Sequence, residues 1–382
     1  MQTVHGEITA AHRTAIEDAY ALIETVQDAA GLDLADEAER VAVANGWDDV
    51  RVLLVLARSL AALAAGADDS PHLQVMLQMA TDLGDPIVRA LVLARIADRR
   101  TAQRRTVTGG PSAMASLVEA IVLLDNEGGV AAHRVSAHEL VASTLEELAL
   151  WELADEHRRL ISDLLDPKAA TVWDATAWLQ RRVNDYNRLH AALDWASAHA
   201  VVGDWASAER IAVNMLSTGT DRADDDWPDL WAAEYAANRH LLTAVAGWQE
   251  LRSDVPAVDA MGLAIRASRS GDHATASALA GIIIGQLHVQ IPENTRLWCL
   301  SMTVRQPGTS PAAIRYSDEL AGLRWQDRLD RLDDIRDVIA TERCRHELDR
   351  PRQQLIVNGR AVNSAVIGEA PAVSSARPAS SC

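Results

Sequence analysis

Ala196–Leu216 reads ASAHAVVGDWASAERIAVNML, Leu263–Ile283 reads LAIRASRSGDHATASALAGII, and the architecture of the chain turns on these two stretches. Each has apolar residues at helical spacing, then Gly-Asp, then a second helical run. Glycine takes the left-handed conformation that ends the first helix at little steric cost, and the Asp after it can accept from the free N–H groups that open the second. Matching offsets hold Ala208, Ala212 and Met215 in one copy and Ala276, Ala280 and Ile283 in the other, so two helices can cross closely. Both stretches predict helix–turn–helix hairpins. A weaker third copy, Leu148-Ala149-Leu150-Trp151 with Ala154, lacks the Gly-Asp turn.

The same 3.6-residue period runs outward in both directions, punctuated by helix caps rather than hairpin turns. Asp85-Pro86 reads as an N-cap followed by proline at the first helical position, just after a helix end at Gly84. In Val135-Ser136-Ala137-His138-Glu139-Leu140, Ser136 can cap, Glu139 can close the capping box and Val135 can staple onto Leu140. Gly109-Gly110-Pro111 and Asn126-Glu127-Gly128-Gly129 bracket another helix. No convincing strand precedes the tail, and the expected class is all-α.

Composition agrees and narrows the functions. The chain has 382 residues, 48% hydrophobic and 24% charged, enough for a substantial core. Aromatics are 4%, with 11 Trp, 4 Tyr and no Phe. A net charge of −18 argues against a sequence-independent grip on nucleic acid or anionic lipid. The N-terminal MQTVHGEITAAHRTAIEDAY lacks the basic and apolar regions of a signal peptide. Arg58 interrupts Val52–Ala65, and Ala278–Ile284 is too short to span a bilayer, so a soluble cytoplasmic protein is expected. Cys299, Cys344 and Cys382 are isolated, so neither a disulfide framework nor a zinc site is indicated, and no cofactor or metal is expected.

Ala208 and Ala276 lie 68 residues apart, twice the 34-residue unit of the tetratricopeptide repeat family, which the two hairpins resemble. That resemblance implies a right-handed array of antiparallel helix pairs, an α-solenoid, over residues 1–310, with a concave groove for a protein or peptide. The match is degenerate: Ala192 stands where Trp is usual, Ala196 or Ala264 where Gly is usual, and the step from Ala154 to Ala208 is 54 residues.

Tyr316–Arg350, YSDELAGLRWQDRLDRLDDIRDVIATERCRHELDR, is a long charged amphipathic stretch. It resembles the helix that joins a tetratricopeptide-like input region to the GGDEF domain of actinobacterial diguanylate cyclases. ELALWELADEH and LGDPIVRALVLA are also similar to that input region. The GGDEF signature itself is missing, and a chain without phenylalanine cannot carry it. The expected organisation is a repeat array over 1–310, a linker helix over 311–350 and a disordered tail over 351–382, with Pro351 stopping the helix. The resemblance implies a protein-interaction or signal-input module of cyclic-dinucleotide signalling, similar to a diguanylate cyclase but without enzyme activity.

An enzyme reading has one motif behind it. Asp225-Asp226-Trp227-Pro228-Asp229 matches the DDxxD of helical prenyl-diphosphate enzymes, but Pro228 disfavours helix at Trp227 and no second metal motif occurs, so a helix N-cap is the stronger expectation. Trp173, Trp178, Tyr186, Trp195, Trp231 and Trp248 cluster in sequence and are candidates for a partner groove, with core packing as the alternative. Trp325, Leu332 and Ile339 recur every seven residues with Leu329 beside them, and Asp327/Arg331 and Asp333/Arg336 can pair along the helix. They suggest a homodimer seam through 317–350, with a terminal cap on the array as the alternative. The scattered histidines, among them His12, His133, His138, His157, His190, His199, His240 and His273, and the acidic pairs Glu146-Glu147 and Asp333-Asp334, read as solvated or capping residues. No phosphate-cradling glycine loop is present.

Overall fold

The computed structural model describes residues 8–25, 29–104, 112–126, 128–166, 174–217, 229–248, 256–283, 292–306 and 308–368. Among them all the regular structure is α-helical, in fifteen helices. In order these are α1 (Ala10–Thr25), α2 (Ala29–Asn45), α3 (Asp48–Ala64), α4 (Ser70–Leu83), α5 (Pro86–Arg104), α6 (Ser112–Leu124), α7 (Ala131–Glu147), α8 (Trp151–Leu164), α9 (Asp174–Val201), α10 (Trp205–Ser217), α11 (Asp229–Ala246), α12 (Pro256–Arg269), α13 (His273–Ile283), α14 (Glu293–Val304) and α15 (Pro311–Gly368).

Local chemistry sets the turns. Gly203 and Gly271 have φ of 82° and 79°, in the left-handed region where a side chain is strained. Asp204 then accepts from the Ser207 N–H at 3.1 Å, and Asp272 from the Thr275 N–H at 3.1 Å, which caps α10 and α13. Ala208, Ala212 and Met215, like Ala276, Ala280 and Ile283, are buried at the crossings. The third hairpin, α7 into α8, forms without glycine because Ala149 itself takes φ 60°. Asp85 caps α5 through the Ile87 and Val88 N–H groups, at 2.7 and 3.3 Å, and Gly84 ends α4 with φ 70°.

The Ser136 capping box does not form. Gly128 and Gly129 both have positive φ and Val130 is extended, so α7 starts at Ala131 and Ser136 lies in its second turn. Glu139 instead bonds Arg158 and Asn187.

Two large cores result. The first gathers Ile16, Leu53, Leu91, Leu117 and Leu145 from α1, α3, α5, α6 and α7 with Leu150 just before α8, and a satellite of Val52, Met76, Val88 and Val92 lies beside it. The second is built from α9 to α14 around Leu189, Leu241, Met261, Ile265 and Trp298. α14 folds back onto α9: Asp194 accepts from the Asn294 backbone and side-chain N–H groups, both at 2.8 Å, and Ser197 meets Thr295 at 2.8 Å. The second half therefore closes on itself, where a simple solenoid contacts only adjacent units. Among the described residues the 68-residue interval holds α10, α11 and α12 before α13 begins.

α15 is 58 residues long and runs through Pro351 to Gly368, past the stop expected there. Proline removes one N–H and crowds the carbonyl four residues before it. Here that carbonyl belongs to Glu347, which is exposed, so water can satisfy it. The expected disordered tail thus begins in helix; residues 369–382 lie outside the described residues.

Candidate functional site

α15 crosses both halves, and its contacts define the first element of the site. From the C-terminal side, Arg305 pairs with Asp318 at 2.6 Å. Next, the Trp325 ring meets His199 of α9 edge-on, at 4.6 Å between centroids. Arg328, 3% exposed, forks onto Glu152 of α8 at 2.8 and 3.0 Å and donates to the Ala149 carbonyl at 3.3 Å. Its guanidinium stacks over Trp325 at 4.1 Å and lies 5.2 Å from the centroid of Trp151. Leu332, Ile335 and Ile339 then enter the first core, and Arg343 forks onto Asp125 at 2.7 and 3.1 Å. Burial alone would raise the Glu152 carboxyl, but the Arg328 fork outweighs it and holds it below the usual range. Burial lowers His199 against the pull of Asp204, whose carboxylate lies 3.0 Å away.

Behind that seat, α8, α9 and α10 line an open cavity of about 260 Å³. Trp151, Trp195, Ala192, Ile211 and Met215 give it an apolar wall, while Arg158, Arg159, Arg188 and Arg210 face Glu146 and Asp155. Both carboxylates are already engaged: Glu146 by the Arg158 fork at 2.9 and 3.0 Å, Asp155 by Arg159. Arg158, with Glu139 as a second carboxylate, stays charged despite burial. Glu146 is therefore half-buried and paired, not freely solvated as the sequence suggested, because a charge at this depth needs a partner.

Five of the eight histidines also depart from expectation, while His273 is exposed as expected. His133, His138, His157, His199 and His240 are buried, since on α7, α8, α9 and α11 they fall on inward faces. His138 and His157 meet Nδ1 to Nδ1 at 2.8 Å, so one donates and the other accepts, and both stay neutral. Burial lowers them to about 4 and about 3. Elsewhere Tyr20, His133, Asp49 and His12 form a chain with contacts of 2.8, 3.4 and 2.9 Å. Burial would raise Asp49, but the two imidazoles bring it down to about 2. This chain ties α1, α3 and α7 together, and neither it nor the histidine pair lines the cavity.

The groove candidates do not converge. Trp178, Tyr186 and Trp195 are spread along the 28-residue α9, where 17 residues of separation (195 minus 178) correspond to about 26 Å. Trp178 is exposed under Arg182, Tyr186 bonds Glu234, and Trp248 is exposed after α11. Trp195 alone of these lines the cavity. Trp173 lies outside the described residues, and Trp231 falls in α11 where its side chain is not described. Asp225 and Asp226 also lie outside the described residues; Asp229 is the first residue of α11.

The seam candidates lie against their own chain. Leu332 and Ile339 are core residues, Leu329 is half-buried, and Trp325 is held by His199 and Arg328. This matches the cap alternative in kind, except that the residues cap the first core rather than the last hairpin. The pairs Asp327/Arg331 and Asp333/Arg336 form as expected, at 3.2 and 3.8 Å. Sequence reasoning missed Arg328, Glu152 and Arg158, whose partners lie far away in the chain and leave no local signal. No group of His, Cys, Asp and Glu among the described residues could hold a metal ion, and no described helix is long and apolar enough to cross a membrane. No family model, curated protein or solved structure matches the chain.

Proposed function

We propose that this chain is a helical signal-input and protein-interaction module, of the tetratricopeptide-like kind, whose output element is α15. The observation that carries the reading is the seating of one long helix across both halves through a few discrete contacts. Those at Glu152, the first core and Asp125 can open together. A helix held this way can change position when a partner or ligand alters its seat, and no catalytic group is needed.

The resemblance of 316–350 to cyclase linkers supports cyclic-dinucleotide signalling in the cytoplasm as the setting of this module. Its partner is a protein or peptide. A second copy of the chain would meet the exposed Tyr316, Leu320 and Leu323 row, since Leu332 and Ile339 are already covered. The test is a fusion of a GGDEF catalytic domain after Gly368, assayed for cyclic dinucleotide synthesis with native α15 and with Arg328→Ala. Activity differing severalfold between the two, at equal folding by dichroism, supports an input role. Equal activity refutes it.

A further inference from the structure

The cavity between α8, α9 and α10 has an excess of donors and positive charge that the protein itself does not use. Four arginines line it against two carboxylates, in a chain of net charge −18. The two carboxylates are taken by Arg158 and Arg159, which leaves Arg188 and Arg210. Arg188 reaches only the Ser162 hydroxyl, at 3.4 Å, and Arg210 only the Ser207 hydroxyl, at 3.3 Å. Neither has a carboxylate partner among the described residues; Arg188 is half-buried and Arg210 exposed at the rim. Guanidinium groups left over in a concave site favour a planar or tetrahedral oxyanion.

The apolar wall gives a second, independent observation. The indole N–H groups of Trp151 and Trp195 are both buried without a hydrogen-bond partner, and both residues line this cavity. A buried indole usually finds an acceptor. Two unsatisfied indole donors and two guanidinium groups without a carboxylate partner, all on residues that line one cavity, describe a site short of acceptors. Around them Ala154, Ala191, Ala192, Ile211 and Met215 offer a flat apolar surface. About 260 Å³ suits a single ring with one charged substituent and excludes a folded peptide.

We infer that this cavity binds a small organic anion, a phosphate or carboxylate carried on a flat apolar body, with Arg188 and Arg210 taking the anion and Trp151 and Trp195 the body. Trp151 also lies beside Arg328 of α15, so an occupant would sit one side chain away from the helix seat. The binding claim stands apart from the input-module reading, because it is measured without reference to α15.

The test uses the full chain labelled with ¹⁵N-tryptophan and titrated with phenyl phosphate, inorganic phosphate and phenol. Trp151→Phe and Trp195→Phe assign the two indole resonances. Saturable shifts of those two resonances are expected with phenyl phosphate at sub-millimolar concentration, with at least tenfold weaker binding of phenol and of inorganic phosphate. Arg188→Ala with Arg210→Ala should weaken phenyl phosphate at least tenfold while leaving the dichroism melt in place. Ala192→Trp, which fills the cavity, should abolish the shifts. The proposal is overturned if no saturable shift occurs up to 10 mM, if phenol binds as well as phenyl phosphate, or if inorganic phosphate alone binds equally. It is also overturned if binding survives either the double arginine variant or Ala192→Trp.

Discussion

Leu332→Ala tests the docking of α15 at one of its buried apolar contacts. Leu332 is 4% exposed and packs in the first core with Ile335 and Ile339. Truncating it removes three carbons and leaves a void that the neighbouring helices fill only in part, a loss of about 2–4 kcal/mol. That loss falls on the docked state alone, since an undocked α15 exposes residue 332 in either form. At about 1.4 kcal/mol per tenfold, the undocked population should rise by about 30-fold to 1,000-fold. Amide exchange followed by mass spectrometry reads this directly, because an isolated helix protects its amides far less than a packed one. Peptides covering 328–343 should exchange faster by that factor, while peptides from α12 and α13, in the second core, keep their native rates. If 328–343 exchanges within threefold of the wild type, α15 is not held by this core and the assignment of its seat is wrong.

Other perturbations follow from single features. Native His138 and His157, lowered to about 4 and about 3, stay neutral where the unfolded chain, titrating near 6.5, takes up protons. Stability should therefore be full above about pH 6.5 and fall as the pH drops from there toward 4, by up to about 1.4 kcal/mol per pH unit for each imidazole. Urea midpoints at pH 7 and pH 5 measure the slope, and an unchanged slope in His138→Gln would remove the pair as its source. Ala149→Gly should stabilise by up to about 1 kcal/mol, because φ of 60° costs alanine more than glycine gains in unfolded freedom; a lower melting temperature contradicts this. Gly129→Ala should cost more than Gly203→Ala: both have positive φ, but a Cβ at 129 would also lie 2.8 Å from Ile87 Cγ1, while nothing lies within 4 Å at 203. Matched urea unfolding of the two variants gives the order, and a reversed order would refute the packing at Ile87.

What the sequence revealed was local. Gly203-Asp204 and Gly271-Asp272 state in two residues both the end of one helix and the cap of the next, and Asp85-Pro86 does the same for a start. Ser136 and Glu139 show the limit of such signals, since the same Ser-x-x-Glu spacing occurs inside a helix that two upstream glycines had already allowed to begin. The site was mostly illegible because its pairs are far apart in the chain: Arg328 and Glu152 are separated by 176 residues and Arg343 and Asp125 by 218. The heptad of Trp325, Leu332 and Ile339 was visible as an apolar row, but a row states only that it will be covered, not by which surface. Tryptophans near in sequence proved distant in space because α9 is one unbroken helix.

The central claim is that α15 docks on its own chain, and the buried Arg328–Glu152 fork tests it most directly. Arg328→Glu and Glu152→Arg each place like charges together at a position where the partner is 3% exposed or only partly solvated, and each should release α15, read as fast exchange over 328–343. The double variant restores an opposite pair and should recover protection, which would establish the contact. Mixing the two single variants then separates the remaining possibilities: docking within one chain predicts no recovery in the mixture. Recovery on mixing, with a shift to dimer in sedimentation equilibrium, would show that α15 docks on a second copy and would contradict the account.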